Sequence, residues 1–326
     1  MKAILCKSYG TPDDLVLEQI GEPALGDGQV RIRVAACGVN FPDVLMIAGK
    51  YQMRPPMPFT PGAEISGEVI EVGASVSHIK TGQRVIALCG YGGMAEQACV
   101  DEHAVIPIPD TMPYETAAAF LLTYGTSYHA LKQRADIQAG ESLLVLGAAG
   151  GVGLAAVELG NKMGADVIAA ASSAKKLGLA EKYGARHCIN YSDCSLKESV
   201  KEITEGRGVD VIYDPVGGTL FDDCLRSIAW KGRILVIGFA GGEIQSVPAN
   251  LVLLKGSSIV GVFWGKFTER EPEVNRRNTM ALLEMHSAGQ ITPYISDEFA
   301  LQDAAGALKT LKERRALGKI IVKISL

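Results

Sequence analysis

The feature that most constrains this chain is the run Leu143-Leu-Val-Leu-Gly147-Ala-Ala-Gly150-Gly151-Val-Gly153, which leads into an apolar helical stretch over 152–163. A short apolar strand ends here in a turn that needs residues without a β-carbon. The backbone must bend sharply and come close to another group. The helix that follows offers unpaired N–H groups and the positive end of its dipole at the same point. Strand, glycine turn and helix in this order suit a dinucleotide pyrophosphate. A glycine pattern alone is weak evidence, but here the elements on either side supply the context. Gly147, Gly150, Gly151, Val152 and Gly153 are therefore the expected phosphate-facing residues.

The segments downstream continue the alternation. Apolar runs at 143–146, 167–171, 187–189, 209–213, 234–237 and 258–262 alternate with helical stretches near 152–163, 175–183, 196–204 and 220–229. Gly164 and Gly184 stand where helix C-caps belong. This pattern specifies a doubly wound parallel sheet with helices on both faces. Residues 123–265 are assigned to it.

The first third reads differently. Residues 29–36 (QVRIRVAA) alternate polar and apolar, as a half-buried strand does. Further strands are expected at 67–72, 83–88 and 94–100, with a short helix at 41–47 and helices at 115–122 and 127–134. Pro55, Pro56, Pro58 and Pro61 punctuate the region. It reads as an antiparallel, barrel-like domain. The tail carries two charged helices, 273–287 and 304–315, and a final apolar strand at 319–324. That strand needs a sheet to join, and the N-terminal domain is the expected host. Residues 1–122 and 266–326 then form one domain, with the parallel sheet inserted between its halves.

Composition excludes several classes. A length of 326 residues fits two domains. The 32 basic and 36 acidic residues give a charge of −4 and form no like-charge block, which argues against nucleic acid or an anionic membrane as partner. Seven cysteines are scattered without a CxxC pair, and no run of 18 apolar residues occurs. The short apolar run at 3–6 does not read as a signal peptide. A soluble protein of a reducing, cytoplasmic compartment is expected.

The end of the second strand distinguishes the dinucleotides. A site for NAD places an acid there to hold the ribose 2′-hydroxyl. Here Ala171 is followed by Ser172, Ser173, Ala174, Lys175 and Lys176. Hydroxyls and a cation suit a 2′-phosphate, which a carboxylate would repel, so NADPH is the expected cofactor. A serine here also fits a helix cap, and the two roles are compatible.

Several further motifs lie in order along the chain: Ala36-Cys-Gly-Val-Asn40-Phe-Pro-Asp43, Pro61-Gly-Ala-Glu64-Ile-Ser-Gly67, Val72-Gly73, Gly82-Gln-Arg84-Val85 and Tyr124-Gly-Thr126. With the glycine loop, and over essentially the whole length, they resemble the medium-chain dehydrogenase/reductase superfamily. The match is to its zinc-free quinone oxidoreductase (zeta-crystallin-like) branch. The resemblance implies an α/β fold: a GroES-like, β-rich catalytic domain with an inserted Rossmann domain. It also implies a homodimer, with the 258–262 edge strand as its seam.

Departures from the zinc alcohol dehydrogenases are informative. Where those enzymes carry a ligand cysteine this chain has Asn40, and their Gly-His-Glu is here Gly62-Ala63-Glu64. A catalytic zinc needs about three protein ligands. The four-cysteine structural lobe is also missing, so no metal is expected.

The resemblance places Asn40 beside the nicotinamide and substrate, with Tyr51 as a hydroxyl able to polarise a carbonyl. Asp43 would orient this segment, or serve as a helix cap. It sets Thr126 near the nicotinamide end, Tyr191 against the adenine, and Arg315 toward the 2′-phosphate. Phe239 and Phe263, after later strands, join the cofactor list, with core or interface packing as their alternative. The expected reaction is zinc-independent hydride transfer from NADPH to a quinone or enone, with the oxyanion held by hydrogen bonds from Tyr51, Asn40 or the cofactor's ribose hydroxyl and solvent supplying the proton. The alternative is an enone, enal or enoyl-thioester reductase of the same branch. A cofactor-binding protein without reductase activity is the reading from a different class.

Overall fold

The computed structural model describes residues 1–324, so the last two residues of the expected first domain lie outside them. The chain divides into two compact units. One comprises Met1–Leu122 together with the segment from Thr292 onward, and the other Thr123–Ile291.

The first unit is organised by the strand Gln29–Val39. Val30, Ile32 and Val34 point inward and are fully buried, as the period-two pattern requires. This strand pairs antiparallel with Glu64–Val72 along one side. Along its other side it pairs first with Gln97–Asp101 and then with Lys319–Lys323. Register shifts at Arg31/Ile32 and Val34/Ala36 bend it enough to serve both partners. The final strand thus joins the sheet of the N-terminal half, with Ile320 opposite Val39. That register sets Lys319 at the level of Asn40.

The motif arginine Arg84 has a structural task. Its guanidinium donates to the carbonyls of Pro109, Asp110 and Met112 and lies 4.4 Å over the Tyr114 ring. This clamps the segment leading into the helix Tyr114–Ala118. The helix at Phe41–Ile47 falls where expected. The two helices expected at 115–122 and 127–134 are instead Tyr114–Ala118 and Leu121–His129, with a wide turn over Ala130–Arg134.

The second unit is a six-stranded parallel sheet. Its strand order is His187–Asn190, Asp166–Ala171, Ser142–Leu146, Val209–Asp214, Ile228–Val236, Ser258–Gly261. Numbered within the sheet this is 3-2-1-4-5-6, the doubly wound order. The direction of winding reverses between Ser142–Leu146 and Val209–Asp214. The carboxyl ends of those two strands are where such sheets take ligands.

The return to the first unit comes later than residue 266. The helices Trp264–Arg270 and Pro272–Ser287 belong to the parallel-sheet unit. The reason is side-chain packing that their sequence does not advertise. Phe267 stacks on His129 with 3.8 Å between ring centroids, and Asn278 exchanges hydrogen bonds with Gln133 at 3.0 and 3.2 Å. Trp264 lies against Gly125, where a β-carbon would come within 2.5 Å of its ring.

Candidate functional site

The glycine loop leaves the strand Ser142–Leu146 and enters the helix Gly151–Lys162. Gly147 sits at φ +57°, in the left-handed region, and the Gly150 N–H returns to its carbonyl at 2.9 Å. Gly150 occupies the N-cap position and has no side chain with which to satisfy the first turn. The N–H groups of that turn therefore remain available to a ligand, as a phosphate cradle requires. Gly153 is required by close approach: a β-carbon there would stand 2.2 Å from the Gly147 oxygen. Val152 lies beside it in the same turn.

The neighbouring strand end adds a residue that pattern reading passed over. Asp214 is wholly buried, and its Oδ1 accepts the N–H groups of Val216 and Gly217, both at 2.8 Å. This fixes the turn whose Val216 side chain packs against Gly147. Burial raises the Asp214 carboxyl pKa against the pull of those two N–H groups. The only sequence signal was an acid closing a mostly apolar strand.

At the end of Asp166–Ala171 the serine and lysine side chains converge. Ser173 caps the helix Ala174–Lys182 by accepting the Lys176 N–H at 3.4 Å. The Lys176 ammonium reaches the Ser172 hydroxyl at 3.1 Å. A cap and a cation–hydroxyl pair thus occupy one strand end. Tyr191 follows the adjacent strand, its N–H bonded to the Ala171 carbonyl at 3.2 Å and its ring packed on the core beneath. Phe239 and Phe263 follow the strands Ile228–Val236 and Ser258–Gly261 and are both exposed. Thr126 is buried in the helix Leu121–His129. The next residue, Ser127, bonds the Val152 carbonyl and the Tyr213 hydroxyl, each at 2.9 Å. This ties the Thr126 helix to the first turn after the glycine loop.

In the first unit, Asn40, Asp43, Glu64 and Lys319 form one buried polar cluster. The Lys319 ammonium donates to Asn40 Oδ1 at 2.5 Å, Glu64 Oε2 at 3.0 Å and the Val39 carbonyl at 3.3 Å. Asn40 Nδ2 donates to Glu64 Oε2 at 3.1 Å and to the Gly38 carbonyl at 3.2 Å. Glu64 Oε1 accepts the Leu122 N–H at 2.9 Å. Asp43 Oδ2 accepts the Asn40 backbone N–H at 2.8 Å, which fixes the start of the helix Phe41–Ile47. Tyr51 packs half-buried on the same core, outside this network. Burial and the Asp43 charge raise its hydroxyl pKa, so it keeps its proton and remains a donor. Glu64 and Lys319 are the members of this cluster that the sequence did not single out. Each is a charge flanking an apolar strand, a pattern that reads equally well as a solvated strand end.

Arg315 lies in the first unit as well, in an exposed 2.8 Å ion pair with Glu313. Such a pair is worth little and leaves the guanidinium easily redirected.

Asp43 makes the cluster pH-sensitive. Burial, opposed by the Asn40 N–H and the Lys319 charge, pushes its carboxyl up to about 6 from 3.8. Between those values the folded chain holds a proton that the unfolded chain has released. Stability therefore falls as pH rises through this window, by about 3 kcal/mol for this group. Asp43→Asn removes the titration and keeps an oxygen for the Asn40 N–H. Its stability relative to the parent should rise by about that amount between pH 4 and 6.5 in urea unfolding. A pH-independent difference would exclude a perturbed Asp43.

A β-rich unit with a buried polar cluster, and a six-stranded doubly wound unit with a phosphate-type glycine loop, define a nucleotide-dependent dehydrogenase or reductase. Comparison with known proteins agrees. Residues 26–110 match the alcohol dehydrogenase GroES-like domain, and residues 151–279 match the family model described as zinc-binding dehydrogenase. The quinone oxidoreductase-like protein 2 homolog of Nematostella vectensis is 42% identical, over 98% of this chain and 88% of its own. Human quinone oxidoreductase is 31% identical, over 99% and 97%. The crystal structure of Escherichia coli quinone oxidoreductase complexed with NADPH superimposes with a TM-score of 0.94, at 27% identity and covering 99% of this chain and 100% of the other. The chain belongs to the quinone oxidoreductase family of the medium-chain dehydrogenases/reductases. No helix of the described residues is long and apolar enough to cross a membrane.

Proposed function

We propose that this protein is an NADPH-dependent, zinc-independent reductase that delivers hydride to a quinone or a comparable electron-poor acceptor. The observation that carries the reading is the ammonium of Lys319 at 2.5 Å from Asn40 Oδ1. At the position that matches a metal-ligand cysteine in the zinc enzymes, the side chain is already bound to a cation of the protein itself. Charge on the acceptor oxygen must then be met by hydrogen bonds, and electron-poor acceptors need no stronger electrophile.

The residues of the second unit fit the cofactor. The loop from Gly147 to Gly153 suits the pyrophosphate, and Ser172 with Lys176 suits a 2′-phosphate. NADPH, when bound, supplies the hydride. Of the site residues in the first unit, Tyr51 holds the proton best placed in chemistry to stabilise the developing oxyanion, and solvent can replace it. NADPH oxidation followed against quinones, enals, enones and enoyl-thioesters tests the reading. Turnover confined to the last three classes would replace quinone with the alternative substrate.

Lys176→Ala should raise the KM for NADPH about tenfold or more, the cost of a hydrogen bond to a charged group. The KM for NADH should change far less. Equal changes for both would remove Lys176 from 2′-phosphate recognition.

A homodimer is also part of the reading. Trp230, Leu253 and Leu254 are exposed, at 68%, 79% and 70%, beside the outermost strand Ser258–Gly261. An edge strand and an apolar surface together favour self-association. Leu253→Glu with Leu254→Glu should convert a dimer to a monomer in light scattering. A monomeric parent would end this part of the proposal. Seven unpaired cysteines suit a reducing, cytoplasmic setting.

A further inference from the structure

We propose that Lys319 is a positioning residue: its buried ammonium fixes which way the Asn40 side-chain amide faces, with Glu64 as the counter-charge. The inference deepens the reductase reading and rests on it for any effect on turnover. The geometry itself can be tested without turnover.

Lysine is rarely buried unless paired, and Lys319 is 3% exposed with Glu64 at 0%. All three of its ammonium donors are used, on Asn40 Oδ1, Glu64 Oε2 and the Val39 carbonyl. A buried ion pair is poor evidence of stabilisation, because apolar residues of similar volume often do as well. A fully satisfied buried polar network, by contrast, specifies one arrangement. Here the arrangement is that of Asn40. An ammonium can only donate, so the amide oxygen must face it. The amide nitrogen then turns toward Glu64 Oε2 and the Gly38 carbonyl, and these take both of its hydrogens. A flipped amide would set N–H groups against the ammonium and oxygen against two acceptors.

The consequence is specific. Asn40 has no hydrogen left to give a substrate oxygen. Its role is to orient, and oxyanion donation falls to another group. The ionisable side chains around the ammonium are Glu64 from the strand Glu64–Val72, Asp43 from the helix Phe41–Ile47 and the buried thiol of Cys37 from the strand Gln29–Val39. Asp43 acts on the backbone of Asn40, whereas Lys319 and Glu64 act on its side chain.

The test uses full-length protein labelled with 15N-asparagine, with the Asn40 side-chain amide resonances identified by their loss in Asn40→Ala. In the parent both amide hydrogens should be strongly protected from exchange with solvent. Lys319→Met should lose this protection, and Lys319→Arg should retain much of it. Unchanged protection in Lys319→Met would overturn the proposal. If Lys319→Met fails to fold, Lys319→Met with Glu64→Gln, compared with Glu64→Gln alone, serves in its place, with the same two outcomes. In turnover, Lys319→Met should lower kcat on the order of tenfold with NADPH affinity unchanged. In an Asn40→Ala background it should add less than about twofold, as coupled neighbours do. Full additivity would also contradict the proposal. A parent without NADPH oxidation would refute the reductase reading and leave the exchange result to judge Lys319.

Discussion

Gly153→Ala should weaken NADPH binding by about 100-fold or more while the first unit stays folded. A β-carbon at this position would stand 2.2 Å from the Gly147 oxygen and 2.9 Å from its carbonyl carbon. Both atoms are backbone, so no side-chain rotation relieves the clash. The helix Gly151–Lys162 must move away from the turn, and its first N–H groups move with it. A phosphate cradle of backbone donors depends on all of them converging, and a displacement of about 1 Å costs on the order of 100-fold. Cofactor fluorescence titration measures the loss. Unaltered NADPH affinity in a folded Gly153→Ala protein would remove the loop from the cofactor site.

The second large effect is expected at Tyr51. With both Asn40 amide hydrogens held by Glu64 and Gly38, the Tyr51 hydroxyl is the donor left among the proposed catalytic side chains. Its raised pKa keeps it protonated at neutral pH. Loss of one oxyanion donor in a preorganised site typically costs about 100- to 1,000-fold in kcat. Tyr51→Phe should show a fall of that order with NADPH affinity nearly unchanged. Equal turnover in the variant would exclude Tyr51 from the chemistry and leave oxyanion stabilisation to the cofactor's ribose hydroxyl or water.

These two residues illustrate what the sequence discloses. The glycine loop was legible because its function is local: strand, turn and helix are contiguous, and each imposes its own pattern. The six parallel strands were legible for the same reason. The second boundary was not. Trp264, Phe267 and Asn278 anchor their helices through Gly125, His129 and Gln133, and no periodicity encodes such pairing. The Asn40 cluster was half legible. Asn40 and Ala63 stood out against the zinc-enzyme pattern, but the lysine that completes the site comes from 279 residues further along. Lys319 opens an apolar strand as many surface lysines do, and only the register of Ile320 opposite Val39 carries it inside. Asp214 was hidden in the same way, as a polar end to a buried strand.

NADPH oxidation by the purified protein, followed with a panel of quinones in the presence and absence of a strong chelator, tests the central claim most directly. The account predicts turnover with at least one quinone, faster with NADPH than with NADH and unaffected by the chelator. Tight NADPH binding with no oxidation by any acceptor, or activity abolished by the chelator and restored by zinc, would contradict it.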